Sequence, residues 1–314
     1  MFLRILIYVV VAGGLGLFAF APDFNLGAKP QVTDPGQWPE RLRLAFTPSE
    51  DDPEKRRHRF QELADYLTQE IGIPVEITRA SSYGPTIEAM RAHKIDIAQT
   101  GSFAYMIAHE KAGAEAIITR GTEEGPGIYN SVIVTSPLSG IDSIDEMINR
   151  ADELTFSFTD PASTSGHLVP RSALESFGIE AERDFRRVVF TMSHTNSAMT
   201  ILSGKVEVGG ISGNTYQRLL EADKIEPGDL KILWESPPIP TGPLSIRGDL
   251  PEDLKKAVQQ AYLDIRIKHP VLWADIRQAS GFEPHEPFFY LPAEDSMWDP
   301  LREIARNLET MDLL

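Results

Sequence analysis

An α/β fold of two lobes is the class this sequence predicts, on three observations. Short strand-like runs alternate with amphipathic helical stretches through most of the chain. The alternation occurs in two successive cycles, and the strands of both end in small or polar residues, the place where open α/β sheets collect ligands. At 314 residues the chain is long enough to bury two cores.

The first cycle opens at Arg41-Leu42-Arg43-Leu44-Ala45-Phe46, which alternates as a half-buried strand does, and Thr47-Pro48-Ser49 ends it as a loop. A helix is expected from about Pro53, because Phe60, Leu63, Ala64 and Leu67 recur at helical spacing and Gly72 and Pro74 stop it. The mixed charges from Glu50 to Arg59 suit a solvated helix start. Val75-Glu76-Ile77 is the next strand, Tyr83-Gly84-Pro85-Thr86 turns into a helix through Ala92, and a strand over residues 95–99 leads into Thr100-Gly101-Ser102-Phe103-Ala104-Tyr105. Strands follow at residues 116–119 and 131–135.

The second cycle reads as a helix near 144–149, a strand at 154–158, a helix from Ser165 and a strand at 187–190. A helix at 196–203, a strand at 206–211, a helix at 216–220 and a strand at 231–234 complete it. The proline-rich stretch 236–243 breaks regular structure before a strand at 244–247, as a return crossing between lobes would. Helical patterns at 254–267 and 300–308 finish the chain.

Composition narrows the function. The chain has 46 acidic and 30 basic residues, a net charge of -16, which opposes nucleic acid and anionic membrane surfaces as partners. Any anion site must therefore be local, built from short-range donors, since salt screens the overall field within roughly 8 to 10 Å. Cysteine is absent, which removes disulfides, thiolate metal sites, cysteine nucleophiles and a lipid-modified N-terminal cysteine. There is no G-x-S-x-G elbow, H-E-x-x-H, P-loop or dinucleotide fingerprint, and the seven histidines do not cluster at metal-ligand spacing. A hydrolytic triad of Ser165, His194 and Asp160 has no sequence support beyond the presence of those residues, so an enzyme, a cofactor and a metal are not expected.

Location is written at the N-terminus. Arg4 precedes the uncharged apolar run 5–21, an export segment. Ala19-Phe20-Ala21 resembles a signal-peptidase site, but Pro22 would follow the cut and hinder it, so residues 1–22 are either a cleaved signal or a retained membrane anchor. Residues 23–40, rich in proline and glycine, read as a linker.

The stretch from Phe158 to Pro170 carries the chemistry. Ser163, Thr164 and Ser165, followed by Gly166, lie between an expected strand and an expected helix. A helix start leaves backbone N–H groups without partners and carries the positive end of the helix dipole, so it can hold an oxyanion without a lysine or arginine. One Ser or Thr there is ordinarily a cap; three exceed what a cap requires.

Asp160-Pro161-Ala162-Ser163-Thr164-Ser165-Gly166 with Pro170, Phe177-Gly178-Ile179 and Asp184-Phe185 resembles the periplasmic solute-binding proteins of phosphate, phosphite and phosphonate ABC transporters. The resemblance runs from Leu42 to about Leu308 and is supported by Tyr83, Ile95-Asp96-Ile97-Ala98, the Gly101 to Tyr105 loop, Ser193-His194 and Pro238-Ile239-Pro240. It implies a type 2 periplasmic-binding-protein fold, two α/β lobes joined by two crossing segments with the ligand cleft between them. Lobe 1 would comprise residues 41–133 plus 240–314 and lobe 2 residues 134–239. It further implies a monomeric extracytoplasmic receptor whose partners are a small phosphorus oxyanion and the transmembrane subunits of an ABC permease. A membrane-tethered oxyanion sensor of the same fold is the alternative.

Carried over by position, Ser163, Thr164 and Ser165 match the phosphoryl-oxygen donors of lobe 2, Tyr83, Ser102 and Tyr105 the contribution of lobe 1, and His194 the histidine that approaches the ligand. The chain departs from the family after Gly210-Ile211, where Ser212-Gly213-Asn214 places Asn214 at a position often held by an acid, which disfavours an aminoalkylphosphonate. His167 faces either the site or solvent, depending on how the helix start is rotated.

Overall fold

The computed structural model describes residues 38–46, 53–79, 82–279 and 288–308. The export segment, most of the linker and the Thr47-Pro48-Ser49 loop lie outside the described residues. Among the described residues no helix is long and apolar enough to cross a membrane.

The chain builds β1 (Leu42–Phe46), α1 (Pro53–Ile71), β2 (Val75–Arg79), α2 (Tyr83–Arg91), β3 (Ile97–Gln99), α3 (Ser102–Ala112), β4 (Ala114–Thr122) and the short return β5 (Gly125–Pro126). It crosses through β6 (Ile128–Tyr129) into β7 (Ser131–Thr135), α4 (Ile144–Asn149), β8 (Thr155–Phe158), α5 (Val169–Ser176), α6 (Ala181–Asp184), β9 (Arg187–Phe190), α7 (His194–Leu202), β10 (Val208–Ser212), α8 (Gly213–Glu221) and β11 (Lys231–Glu235). It returns through β12 (Ile239–Pro240) to β13 (Leu244–Arg247), α9 (Glu252–Lys268), α10 (Pro270–Ala279), β14 (Phe289–Pro292) and α11 (Asp299–Asn307).

Two sheets result. The first runs β2-β1-β3-β13-β4-β14 with β5 on β4; the second runs β9-β8-β10-β7-β11. In each, the central strands are parallel and a returning strand is inserted antiparallel, β13 between β3 and β4 and β7 between β10 and β11; in the first sheet β14 and β5 also pair antiparallel with β4. β6 and β12 pair antiparallel as a separate two-stranded ribbon, and these are the two crossings. The lobe boundary expected after Ile133 would cut β7 in half. β7 pairs along its length with β10 and belongs wholly to the second lobe, so the chain changes lobes at the ribbon instead. Strand pattern reveals that 131–135 is extended but not which sheet accepts it.

Each sheet is covered on both faces. Leu63, Ala64 and Leu67 of α1 pack with Leu42, Leu44 and helix α9, as their spacing predicts. Two elements go beyond the sequence reading. α10 begins at Pro270, which ends one helical pattern yet suits the first position of the next, and it buries Leu272, Trp273 and Ile276. β14 closes the outer edge of the first sheet against β4. Ala162, Leu168 and Val169 of the second lobe pack with Phe103, Trp298 and Leu301 of the first, so apolar contact presses the lobes together around the hydroxyl-rich run.

Candidate functional site

The Ser163 to Ser165 run leaves β8 and enters α5 through one π-helical turn, Thr164–Leu168, closed by the Leu168 N–H donating to the Ser163 carbonyl at 3.0 Å. Such wide turns cluster at functional sites because they re-aim side chains and backbone groups. Gly166 permits the geometry: a Cβ there would lie 1.9 Å from Thr159 Oγ1. The three hydroxyls divide their roles. Ser163 is the cap, its Oγ accepting from the Gly166 N–H at 3.1 Å. Thr164 and Ser165 are the excess, and both favour the ionised form of the Tyr129 phenol on the crossing strand β6 against the burial that raises its pKa.

Thr164 also reaches the other lobe. Its Oγ1 accepts from the Phe103 N–H at 2.8 Å, one of the unpaired donors at the start of α3. A Cβ on Gly101 would stand 3.4 Å from the Tyr83 hydroxyl and 3.5 Å from Thr164 Oγ1, so Tyr83 joins the same corner. The starts of α2 and α3 on one lobe and the π turn on the other therefore face each other. Asp160 lies at the same corner, accepting from the Ala162 N–H at 2.8 Å and from the Tyr83 N–H at the start of α2 at 3.4 Å.

His194 opens α7 behind the Ser193 cap. Its Nδ1 accepts from the Ser212 N–H at 3.0 Å, which fixes the tautomer: the neutral ring carries its proton on Nε2 and offers a donor there. Burial, with the positive charge of Arg218, lowers its pKa from 6.5 to about 4, so the ring stays neutral at physiological pH. This arrangement also excludes the triad, in which Nδ1 would donate to a carboxylate.

Four residues singled out in the sequence take other places. Tyr105 is fully buried, stacks edge-on against Trp298 with ring centroids 4.8 Å apart, and donates its hydroxyl to Asp295 at 2.6 Å; it is a core residue of the first lobe. Ser102 donates to the Pro240 carbonyl at 2.6 Å and so ties α3 to the crossing ribbon. Asn214 is exposed on the first turn of α8. His167 faces neither ligand nor solvent. Its Nδ1–H donates to the Pro161 carbonyl at 2.7 Å, its Nε2 accepts from Arg171 Nε at 3.0 Å, and Phe158 and Phe190 flank the ring. Helix-start rotation decides all four, and one sequence does not encode that angle in any local signal.

Tyr129, Arg120 and Arg218, which act electrostatically on one another and on His194, are residues near this corner that sequence reasoning did not single out. Tyr129 lies in an irregular stretch, and its importance follows from the ribbon, which is invisible until β12 pairs with it. Arg218 was findable in principle: it follows Asn214 by four residues on one helix.

Among the described residues, no group of three or more His, Asp or Glu side chains is arranged to hold a metal ion. The profile of the phosphonate family of periplasmic substrate-binding proteins of ABC transporters matches residues 44–287. The chain belongs to this family. The phosphonates-binding periplasmic protein of Escherichia coli is 27% identical over 224 residues, covering 69% of this chain and 66% of that one. The phosphate-import protein PhnD of Mycolicibacterium smegmatis is 27% identical over 218 residues, covering 66% of each. The aligned stretch thus spans about two thirds of both relatives. PhnD1 of Prochlorococcus marinus, solved in complex with methylphosphonate, shares the fold with a TM-score of 0.74 at 20% identity, covering 87% of this chain and 99% of that one. The family is one of periplasmic substrate-binding proteins of ABC transporters, not of enzymes. The bilobal type 2 fold expected from the sequence is the one observed.

Proposed function

We propose that this receptor closes its lobes on phosphonate, phosphite or phosphate and presents it to the transmembrane subunits of an ABC permease. One observation carries the reading: the Thr164 and Ser165 hydroxyls, Tyr129, Tyr83 and the Phe103 N–H converge from two lobes and a crossing strand, while the adjacent Asp160 is occupied with backbone donors. Neutral donors in a closed cleft replace the water around a multiply charged oxyanion with fixed dipoles. A phosphoryl oxygen is a stronger acceptor than a hydroxyl, so it would take the Phe103 N–H and free the Thr164 hydroxyl to donate. The His194 Nε2–H adds a donor that keeps its proton across physiological pH. The names of the Escherichia coli and Mycolicibacterium smegmatis relatives, one for phosphonates and one for phosphate, support the substrate class and leave the choice within it to measurement.

Isothermal titration of the purified protein with phosphate, phosphite and methylphosphonate tests the reading. Saturable binding of at least one is expected; absence of heat with all three refutes the substrate class. We further propose that residues 5–21 tether the receptor to the membrane, because Pro22 obstructs cleavage after Ala21. Intact-mass measurement decides it, since a mature chain starting near Pro22 would end the proposal.

A further inference from the structure

The wide turn at Thr164–Leu168 leaves one backbone oxygen without its usual donor. In an α-helix the Ser165 carbonyl would accept from the Val169 N–H, but that N–H donates to the Thr164 carbonyl instead. The residue one further on, which a π-helical bond would use, is Pro170 and has no N–H. Ser165 is buried, and an unpaired carbonyl there is costly.

The missing donor comes from outside the turn. Ser131, the fully buried first residue of β7, donates its hydroxyl to the Ser165 carbonyl at 2.7 Å. The other end of the same peptide is held as well, because the Gly166 N–H donates to Ser163 Oγ at 3.1 Å. Hydrogen bonds linked in this way polarise one another, so the Ser131 hydroxyl orients the Ser165–Gly166 peptide and strengthens the Ser163 hydroxyl as a donor.

Ser131 is itself fixed at the joint of the two crossings. Its N–H donates to Ser236 Oγ at 2.9 Å, and its carbonyl accepts from the Ser236 N–H at 2.9 Å. Ser131 follows β6, where the chain enters the second lobe, and Ser236 precedes β12, where it leaves. The donor turn is therefore pinned on one side to the first lobe, through Thr164 and Phe103, and on the other to the root of the ribbon, through Ser131.

We propose that Ser131 is a positioning residue of this receptor: its hydroxyl aims the Ser163 to Ser165 donors at the ligand and ties them to the crossing strands about which the lobes close. It acts through Ser165 and does not itself hold the ligand. The inference rests on the phosphorus-oxyanion reading above and gives that site its support.

The test is titration of the full chain, wild type and variants, with phosphate, phosphite and methylphosphonate, each variant checked by thermal melts. Ser131→Ala weakens whichever oxyanion wild type binds by about tenfold, the scale of one buried hydrogen bond. Ser131→Thr keeps the hydroxyl and binds within about threefold of wild type. The control is Ser157→Ala, which breaks an equally buried hydroxyl pair of the same lobe, Ser157 with Ser197 at 2.7 Å, away from the turn: it lowers the melting temperature and leaves affinity within about threefold. Should Ser131→Ala not fold, Ser131→Cys, which keeps the size and only a weak S–H donor, takes its place with an expected loss of at least about threefold. Wild-type affinity in the alanine or cysteine variant overturns the inference alone, since the hydroxyl would then serve stability and nothing else. So does an equal loss of affinity in Ser157→Ala, or a threonine variant that melts like wild type and binds like the alanine variant. No binding of any of the three anions by wild type overturns the oxyanion reading and this inference with it.

Discussion

Two histidines of the second lobe sit at helix starts, and burial lowers both to a pKa of about 4, yet they do opposite work. His167 spends both ring nitrogens inside the lobe, one on Pro161 and one on Arg171, and braces the loop that carries the oxyanion donors from behind. His194 spends one nitrogen on Ser212 and keeps the other as a donor. A low histidine pKa therefore marks burial, not function; the count of nitrogens left over separates brace from ligand-facing donor.

The largest break in this comparison is expected from His167→Ala. It leaves the Pro161 carbonyl and Arg171 Nε without their partner, a loss of about 2 to 4 kcal/mol on urea unfolding. Protein that still folds should bind its oxyanion within about threefold of wild type. A collapse of affinity with stability intact would instead place His167 in the ligand site.

Next comes pH. Both histidines have folded pKa values below the unfolded 6.5, so the unfolded chain takes up protons first as pH falls, and stability is retained above about 7 and lost from 6.5 toward 4. For the fully enclosed His167 the slope approaches about 1.4 kcal/mol per pH unit in that window. Melting temperatures of wild type and His167→Gln between pH 7 and 5 should therefore converge as pH drops. Parallel curves would show that His167 is not buried neutral.

His194→Ala removes a single donor from the proposed site. A fall in affinity of about tenfold is expected, with a stability loss smaller than that of His167→Ala because only the Ser212 N–H is left unpaired, and partial recovery in His194→Gln, whose amide can accept from Ser212 and still donate. Wild-type affinity in the alanine variant would put both histidines in the same structural class. The smallest effect belongs to Asn214→Ala: the side chain is exposed, and titration should move by less than about twofold.

The fold was legible from local chemistry wherever periodicity spoke for itself. Leu63, Ala64 and Leu67 announced α1, and the strand at 244–247 was legible to the residue, because Pro243 and Gly248 bound it. α10 hid behind Pro270 and β14 behind its short length. At the site, the run 163–165 was legible as more than a cap, while Tyr105 misled because an aromatic residue one turn into a helix reads alike whether it faces a cleft or a tryptophan.

By itself the sequence determined that this chain is a cysteine-free α/β protein with two strand–helix cycles and a hydroxyl-rich helix start. Those properties follow from residue type and spacing, which act over a few neighbours. Tertiary structure alone decided that Ser163 caps while Thr164 reaches Phe103, that His167 braces while His194 offers its Nε2–H, and that Tyr129 stands on the ribbon between the sheets. Each is a contact between residues far apart in the chain, set by how the two sheets and the ribbon between them are placed.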